Sequence, residues 1–183
     1  MEQSLIERAR EGDREAFSVL ALQVSDGLFA VAQRVLRDVD GAADALQVAL
    51  VRIWRDLPSL EDPSRFEAWA YRVLMRSCHD AMRTRRRHQA NLRLLPRDGA
   101  TVDDPAADLD SRDALERGFR TLTAEQRTIL VLQYYRGLSL SEMADQLQIP
   151  IGTVRSRLHY AKRALRAAVE ADARLPAMER KAR

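Results

Sequence analysis

Arg155, Ser156, Arg157, His159, Tyr160, Lys162 and Arg163 crowd into one short stretch, and every one of them can donate a hydrogen bond. A guanidinium matches the paired acceptors on a guanine edge, while the other donors suit phosphate oxygens. The chemistry on offer is nucleic-acid recognition, and a helix is the element that would deliver it. Val154, Leu158, Ala161 and Leu165 recur at the spacing of one inner face, which leaves the donors outside. Upstream, Ser139 and Glu142 have the S-x-x-E spacing of a capping box. Leu140, Met143, Ala144 and Leu147 follow at i, i+3, i+4 and i+7, and Pro150 stops that helix by lacking an N–H and restraining Ile149. Ser139–Leu165 therefore reads as a helix-turn-helix. A plain helical hairpin with a solvated basic face is the alternative, so the rest of the chain has to decide.

The chain has 183 residues, enough for one domain or two small ones, and its 46% apolar content is that of a folded protein. Only 7 Gly and 6 Pro among abundant Ala, Leu and Arg point to an all-α fold. No apolar run approaches the roughly 20 residues that span a bilayer, and the charged start MEQSLIERAR does not read as a signal peptide. One cysteine forms no internal disulfide, so a reducing cytoplasm is expected. The net charge of +3 hides blocks of alternating sign: −5 over residues 1–70, +7 over 71–97, −6 over 98–116 and +7 over 117–183. Two basic segments on either side of an acidic one suggest two nucleic-acid contacts across a spacer.

Before the spacer the pattern predicts helices over Arg14–Val24, Leu28–Leu36 and Gly41–Leu57, the last stopped by Pro58. Ser64 and Glu67 make a second capping-box match, opening a helix with Phe66, Trp69, Ala70, Val73, Leu74, Ser77 and Ala81 on one face. That helix runs into the basic cluster Arg83, Arg85, Arg86, Arg87. From His88 to Asp110 periodicity fails, and LPRDGATVDDPAADLD reads as a self-repelling linker. Helices resume near Ser111, with a third capping-box match at Thr123 and Gln126 and a break at Gly137. The basic tail Ala171–Arg183 is expected to fray.

The order of motifs resembles the extracytoplasmic-function (ECF) class of bacterial RNA polymerase sigma factors across nearly the whole chain. GDREAF at Gly12–Phe17, GAADALQ at Gly41–Gln47, Trp54 and FEAWAYRVLMRSCHDAMRTRRR at Phe66–Arg87 look like sigma region 2. LTAEQRTILVLQYYRGLSLSEMADQL and GTVRSRLHYAKRAL look like sigma region 4. The resemblance implies two small helical domains: region 2 over residues 1–90 and region 4 over 111–170. A flexible acidic linker at 91–110 joins them, and a basic tail follows at 171–183. It implies binding to the clamp and flap of core RNA polymerase, promoter DNA as ligand, and control by an anti-sigma factor. Region 2 would take and open the minus-ten element, and region 4 would read the minus-thirty-five duplex.

Carried over residue by residue, Asp44 and Gln47 match the polymerase-clamp helix, where an exposed carboxylate can pair with an arginine. Positions usually acidic there are Ala43 and Val48 in this chain. Phe66 matches the aromatic beside the loop that receives an unpaired base, although a core role suits it equally; Trp69 reads as structural. Arg72, Arg76, Arg83 and Arg86 would follow the strand backbone, with Arg76 standing where the family often has asparagine. Arg155, Ser156, His159 and Tyr160 match groove-facing positions, and Arg127, Thr153, Arg157 and Arg163 suit phosphates. Gln148 stands where a turn glycine is common, so a left-handed turn there would cost about 1–2 kcal/mol.

No metal or cofactor is expected: the Cys78-His79 pair with scattered His88 and His159 lacks the paired spacing of a zinc site. A stand-alone helix-turn-helix regulator is the competing function, and it would leave the N-terminal helices needing a task. An enzyme ranks third, since no Gly-rich phosphate loop or nucleophile constellation is present in the sequence.

Overall fold

A computed structural model describes residues 3–92 and 112–179, with side chains described over 3–85, 87 and 114–172. There is no strand among the described residues. Most of the expected linker, at 93–110, lies outside the described residues, as does the end of the tail. The chain divides into two compact units, each considered by itself.

The N-terminal unit holds α1 (Gln3–Arg10), α2 (Arg14–Leu36), α3 (Val39–Asp56) and α4 (Phe66–Leu92), with short 3-10 turns at Leu57–Ser59 and Pro63–Arg65. α1 precedes the first helix predicted, and it docks through Ile6 and Ala9. Asp13 starts α2 by accepting from the Glu15 and Ala16 amides at 3.0 Å each, while Arg8 Nε donates to it at 2.9 Å. The Ala16 amide and the Arg8 side chain hold the Asp13 carboxyl below the usual carboxylate range. The two apolar stretches expected at Arg14–Val24 and Leu28–Leu36 are one continuous helix. Leu20, Leu28, Val31, Ala32 and Val35 on it are fully buried, each large side chain contributing about 1.5–3 kcal/mol.

By length and mean hydropathy alone α2 is apolar enough to cross a membrane, although Asp26 keeps it from holding an uninterrupted apolar run of about 20 residues. One face of α2, with Leu20, Val24, Leu28, Val31, Ala32 and Val35, forms core of the bundle, while Val19 and Leu22 are exposed. Arg37 ends α2 in the left-handed region (φ 54°), and Asp38 then caps α3 by accepting from the Gly41 amide at 3.2 Å. Phe17 near the start of α2 packs on Trp54 near the end of α3, ring centroids 4.8 Å apart, so the two helices run antiparallel. The expected Ser64 start of α4 is corrected. Asp62 caps the 3-10 turn, accepting from the Ser64 amide at 2.9 Å and the Ser64 hydroxyl at 2.7 Å, and α4 begins at Phe66.

The C-terminal part of the chain holds α5 (Arg112–Thr121), α6 (Ala124–Leu130), α7 (Leu140–Leu147) and α8 (Ile151–Glu179). Both capping boxes expected here form. Thr123 and Gln126 exchange bonds of 2.9 and 3.3 Å at α6. At α7, the Ser139 amide and hydroxyl donate to Glu142 at 2.8 and 2.6 Å, and the Glu142 amide donates back at 3.3 Å. Those contacts, the hydroxyl's first, hold the Glu142 carboxyl below its usual range. α6 runs on as a π-helical turn over Val131–Tyr135, whose geometry leaves Tyr134 and Tyr135 exposed, and Gly137 (φ 68°) ends it. On α8 the inner face is as predicted, with Val154, Leu158 and Ala161 buried and Leu165 half-buried. The helix does not fray at Ala171: it continues to Glu179, and Asp172 receives both Arg117 Nε and Nη2 at 2.8 Å. That fork ties α8 to α5, and it draws the Asp172 carboxyl below its usual range.

Gln148, between α7 and α8, does take the left-handed conformation (φ 55°), and its side-chain amide donates to the Asp145 carbonyl at 2.7 Å. The side chain thereby satisfies one of the carbonyls left open at the end of α7. Removing the strain outweighs losing one exposed hydrogen bond, so Gln148→Gly is expected to stabilise the protein by about 0.5–1 kcal/mol. Thermal melting checks this; a lowered midpoint would show that the amide's bond exceeds the strain.

Candidate nucleic-acid interface

Along α4, positions 69, 72, 76, 79, 83 and 87 recur at helical spacing and carry Trp69, Arg72, Arg76, His79, Arg83 and Arg87. Arg76, His79, Arg83 and Arg87 are exposed, and Trp69 and Arg72 are half-buried. The stripe is about 27 Å long at 1.5 Å per residue. The expected trio Arg72, Arg76 and Arg83 is thus brought onto one face, together with His79 and Arg87, which the sequence reading did not single out for that face. Arg72 Nε is buried with no hydrogen-bond partner, an N–H that an incoming oxygen could satisfy. The side chain of Arg86 lies outside those described.

Phe66 is not on this surface. It is 1% exposed in the core, which leaves no ring face for a base, so the stacking role is corrected to a structural one. Trp69, read as structural, sits beside it with centroids 6.1 Å apart and is the aromatic with accessible surface at the head of the stripe.

Among the described residues, Asp80 and Asp38 each form an ion pair with an arginine of α4. Asp80 receives Arg52 Nη2 from α3 at 2.9 Å on one oxygen and faces Arg83 Nη2 at 3.5 Å on the other. Arg52 Nη1 also reaches the Ser77 hydroxyl at 3.3 Å, and that hydroxyl donates to the Val73 carbonyl at 3.2 Å. Asp38, already the cap of α3, receives Arg85 Nη1 at 2.9 Å on its second oxygen. Arg85 lies roughly 200° around the helix from Arg83, off the stripe. The outer face of α3 presents Asp44, Gln47, Val48 and Val51, all exposed, with Val51 at 68%. Ala43 is half-buried.

At the start of α8, Arg155, Ser156, Arg157, His159, Tyr160 and Arg163 are all exposed, as the inner-face pattern requires. The Pro150 carbonyl accepts from the Thr153 and Val154 amides at 2.8 and 3.1 Å, which starts the helix. Thr153 is half-buried, and its carbonyl accepts the Ser156 hydroxyl at 3.0 Å. His159 and Tyr160 meet edge-on at 5.7 Å, while Lys162 Nζ sits 5.3 Å from the Tyr134 ring. Tyr134 lies in the π-helical turn over Val131–Tyr135, whose register a 3.6-residue period does not follow. Arg127 differs from the others: it is half-buried, and its Nη1 donates to the Leu122 carbonyl at 2.6 Å, fastening the turn before α6. The Cys78 thiol is buried, and burial pushes its pKa up to about 12, which keeps it protonated.

The sigma-70 region 2 family matches residues 20–88, and the sigma-70 region 4 family matches residues 118–167. An RNA polymerase sigma-E factor of Streptomyces avermitilis is 33% identical over 86% of this chain and 88% of its own. The chain belongs to the RNA polymerase sigma factors of the ECF class. The ECF sigma factor SigL of Mycobacterium tuberculosis is 35% identical over 76% of this chain and 80% of its own. Among solved structures, the sigma factor RpoE bound to the anti-sigma factor NepR, from Bartonella quintana, is similar with a TM-score of 0.65 and 27% identity. That likeness covers 85% of this chain and 98% of the other. In sigma-factor terms, the α4 stripe falls inside the region 2 match and the exposed α8 face inside the region 4 match.

Proposed function

We propose that this ECF sigma factor docks on core RNA polymerase through the outer face of α3 and directs initiation by two separate DNA contacts. The α4 stripe of Arg72, Arg76, Arg83 and Arg87 follows the minus-ten strand. Arg155, Ser156, His159 and Tyr160 read the minus-thirty-five duplex, with Arg157, Arg163 and Thr153 on phosphates. The observation that carries this reading is that both cationic helix faces fall within the two matched sigma regions of one chain. Two modest contacts on one chain gain effective concentration once polymerase fixes their spacing. The protein acts by binding rather than turnover, in the cytoplasm where polymerase works. An anti-sigma factor restrains it, as one is bound to the similar sigma factor from Bartonella quintana. A stand-alone duplex-binding regulator would leave the region 2 match without a task.

Purified chain added to core polymerase is expected to start transcription at a discrete set of promoters, read by sequencing the transcripts. Tighter binding to free duplex than to core enzyme would favour the stand-alone regulator. On α3, Asp44 is the proposed ionic contact, with exposed Val48 and half-buried Ala43 standing where acids are usual. Asp44→Arg turns an attraction into a repulsion at an exposed position and is expected to weaken core binding about tenfold or more, with the helical spectrum unchanged. Fluorescence titration against core enzyme measures it, and unchanged affinity would remove Asp44 from the contact.

A further inference from the structure

We infer that Asp80 is a positioning residue: its carboxylate holds the place of a strand phosphate on Arg83 until DNA displaces it. The inference rests on the reading of α4 as the strand-tracking helix. Asp80 is anchored by Arg52 at 2.9 Å through one oxygen, so it stays in place whether or not Arg83 is paired. Its other oxygen meets Arg83 at 3.5 Å, a looser contact. Asp80 and Arg83 have side chains 44% and 61% exposed, so an incoming phosphate can reach the pair without unfolding anything. Arg52 is itself fixed by the Ser77 hydroxyl, which makes the acid's support independent of the stripe.

Asp38, which pairs with another α4 arginine, has a different task. Asp38 spends one oxygen on the cap of α3 and grips Arg85 at 2.9 Å, and Arg85 is off the stripe. A tight pair off the face staples α4 to α3. A loose pair on the face, with its acid anchored elsewhere, orders a side chain and yet releases it. Arg83 therefore meets the strand already extended, and the pair must break before the phosphate contact forms.

An exposed ion pair is weak, so its release changes affinity modestly, about twofold to fivefold. The test uses the full chain assembled with core polymerase and a fluorescent oligothymidylate strand, titrated over a series of salt concentrations. Asp80→Asn is compared with Asp26→Asn, which makes the same charge change on the exposed side of α2. Asp80→Asn is expected to bind the strand two- to fivefold more tightly than Asp26→Asn at low salt. That gap is expected to vanish when Arg83→Ala is added to both. Asp80→Glu, which keeps a carboxylate, is expected to follow the wild type, and circular dichroism confirms the helices in each variant. Equal affinity of Asp80→Asn and Asp26→Asn, or a gap that survives Arg83→Ala, would overturn the role of Asp80 while leaving the strand reading intact. Wild-type protein that binds no strand at any salt would overturn the strand reading, and the role of Asp80 with it.

Discussion

Arg155→Ala is expected to cost about 1–3 kcal/mol at the minus-thirty-five element, roughly a five- to 150-fold loss, confined to one or two base positions. Arg155 is exposed in the first turn and a half of α8, one residue after the fully buried Val154 that anchors the helix. Groove-reading helices approach bases with their N-terminal residues, and a guanidinium there can meet both acceptors of a guanine. Arg163 lies two turns further on, where phosphate is the expected contact. Arg163→Ala is therefore expected to weaken all sequences alike and reduce the salt slope by about 1. A randomised promoter library transcribed by each variant separates the two. Unchanged base preference in Arg155→Ala would move the readout to Ser156, His159 or Tyr160.

Gly118→Val is expected to unseat the same helix from behind. Gly118 is buried in α5, and a Cβ placed there would lie 2.9 Å from Val169 Cγ2 and 3.5 Å from the Val169 amide nitrogen on α8. Val169 is β-branched and keeps essentially one rotamer in a helix, so it cannot swing aside. Overpacking of this kind costs about 1–3 kcal/mol, and each kcal/mol lowers the midpoint of a unit this size by roughly 4–8 °C. Both tryptophans, Trp54 and Trp69, belong to the other unit. Tryptophan fluorescence should thus melt as in the wild type while part of the far-ultraviolet helical signal melts earlier. Adding Val169→Ala removes the clashing methyl and is expected to recover most of the loss. No shift in either signal would mean that α5 and α8 can separate at no cost.

The parts of this protein legible in its residues are those closed within one helical turn. The capping boxes Ser139/Glu142 and Thr123/Gln126 form as read, because each needs only a side chain and an amide three residues apart. The inner face of α8 likewise follows from the spacing of Val154, Leu158 and Ala161, which at once places the donors outside. The Ser64/Glu67 reading failed for the same local reason that the others succeeded. Asp62 lies two residues upstream beside Pro63, takes both the Ser64 amide and the Ser64 hydroxyl, and opens a 3-10 turn first.

What spacing alone left undecided was which of several equivalent residues is used, because that depends on partners distant in the chain. Phe66 and Trp69 share one apolar period, and only the packing of the bundle buried the first and left the second partly open. Arg83 and Arg85 read as equal members of a basic run. The fold pairs Arg85 with Asp38, 47 residues away, and brings Arg52 across 28 residues to hold the acid that faces Arg83. Arg127, read as a phosphate contact, also gives a donor to a carbonyl in the turn before α6, which its spacing did not show. Residue type and helical period determined that this chain is helical and basic on two faces, and the order of its motifs pointed those faces to DNA. Which arginines are held in ion pairs was decided by tertiary structure, since an ion pair forms only where folding brings the two charges within reach.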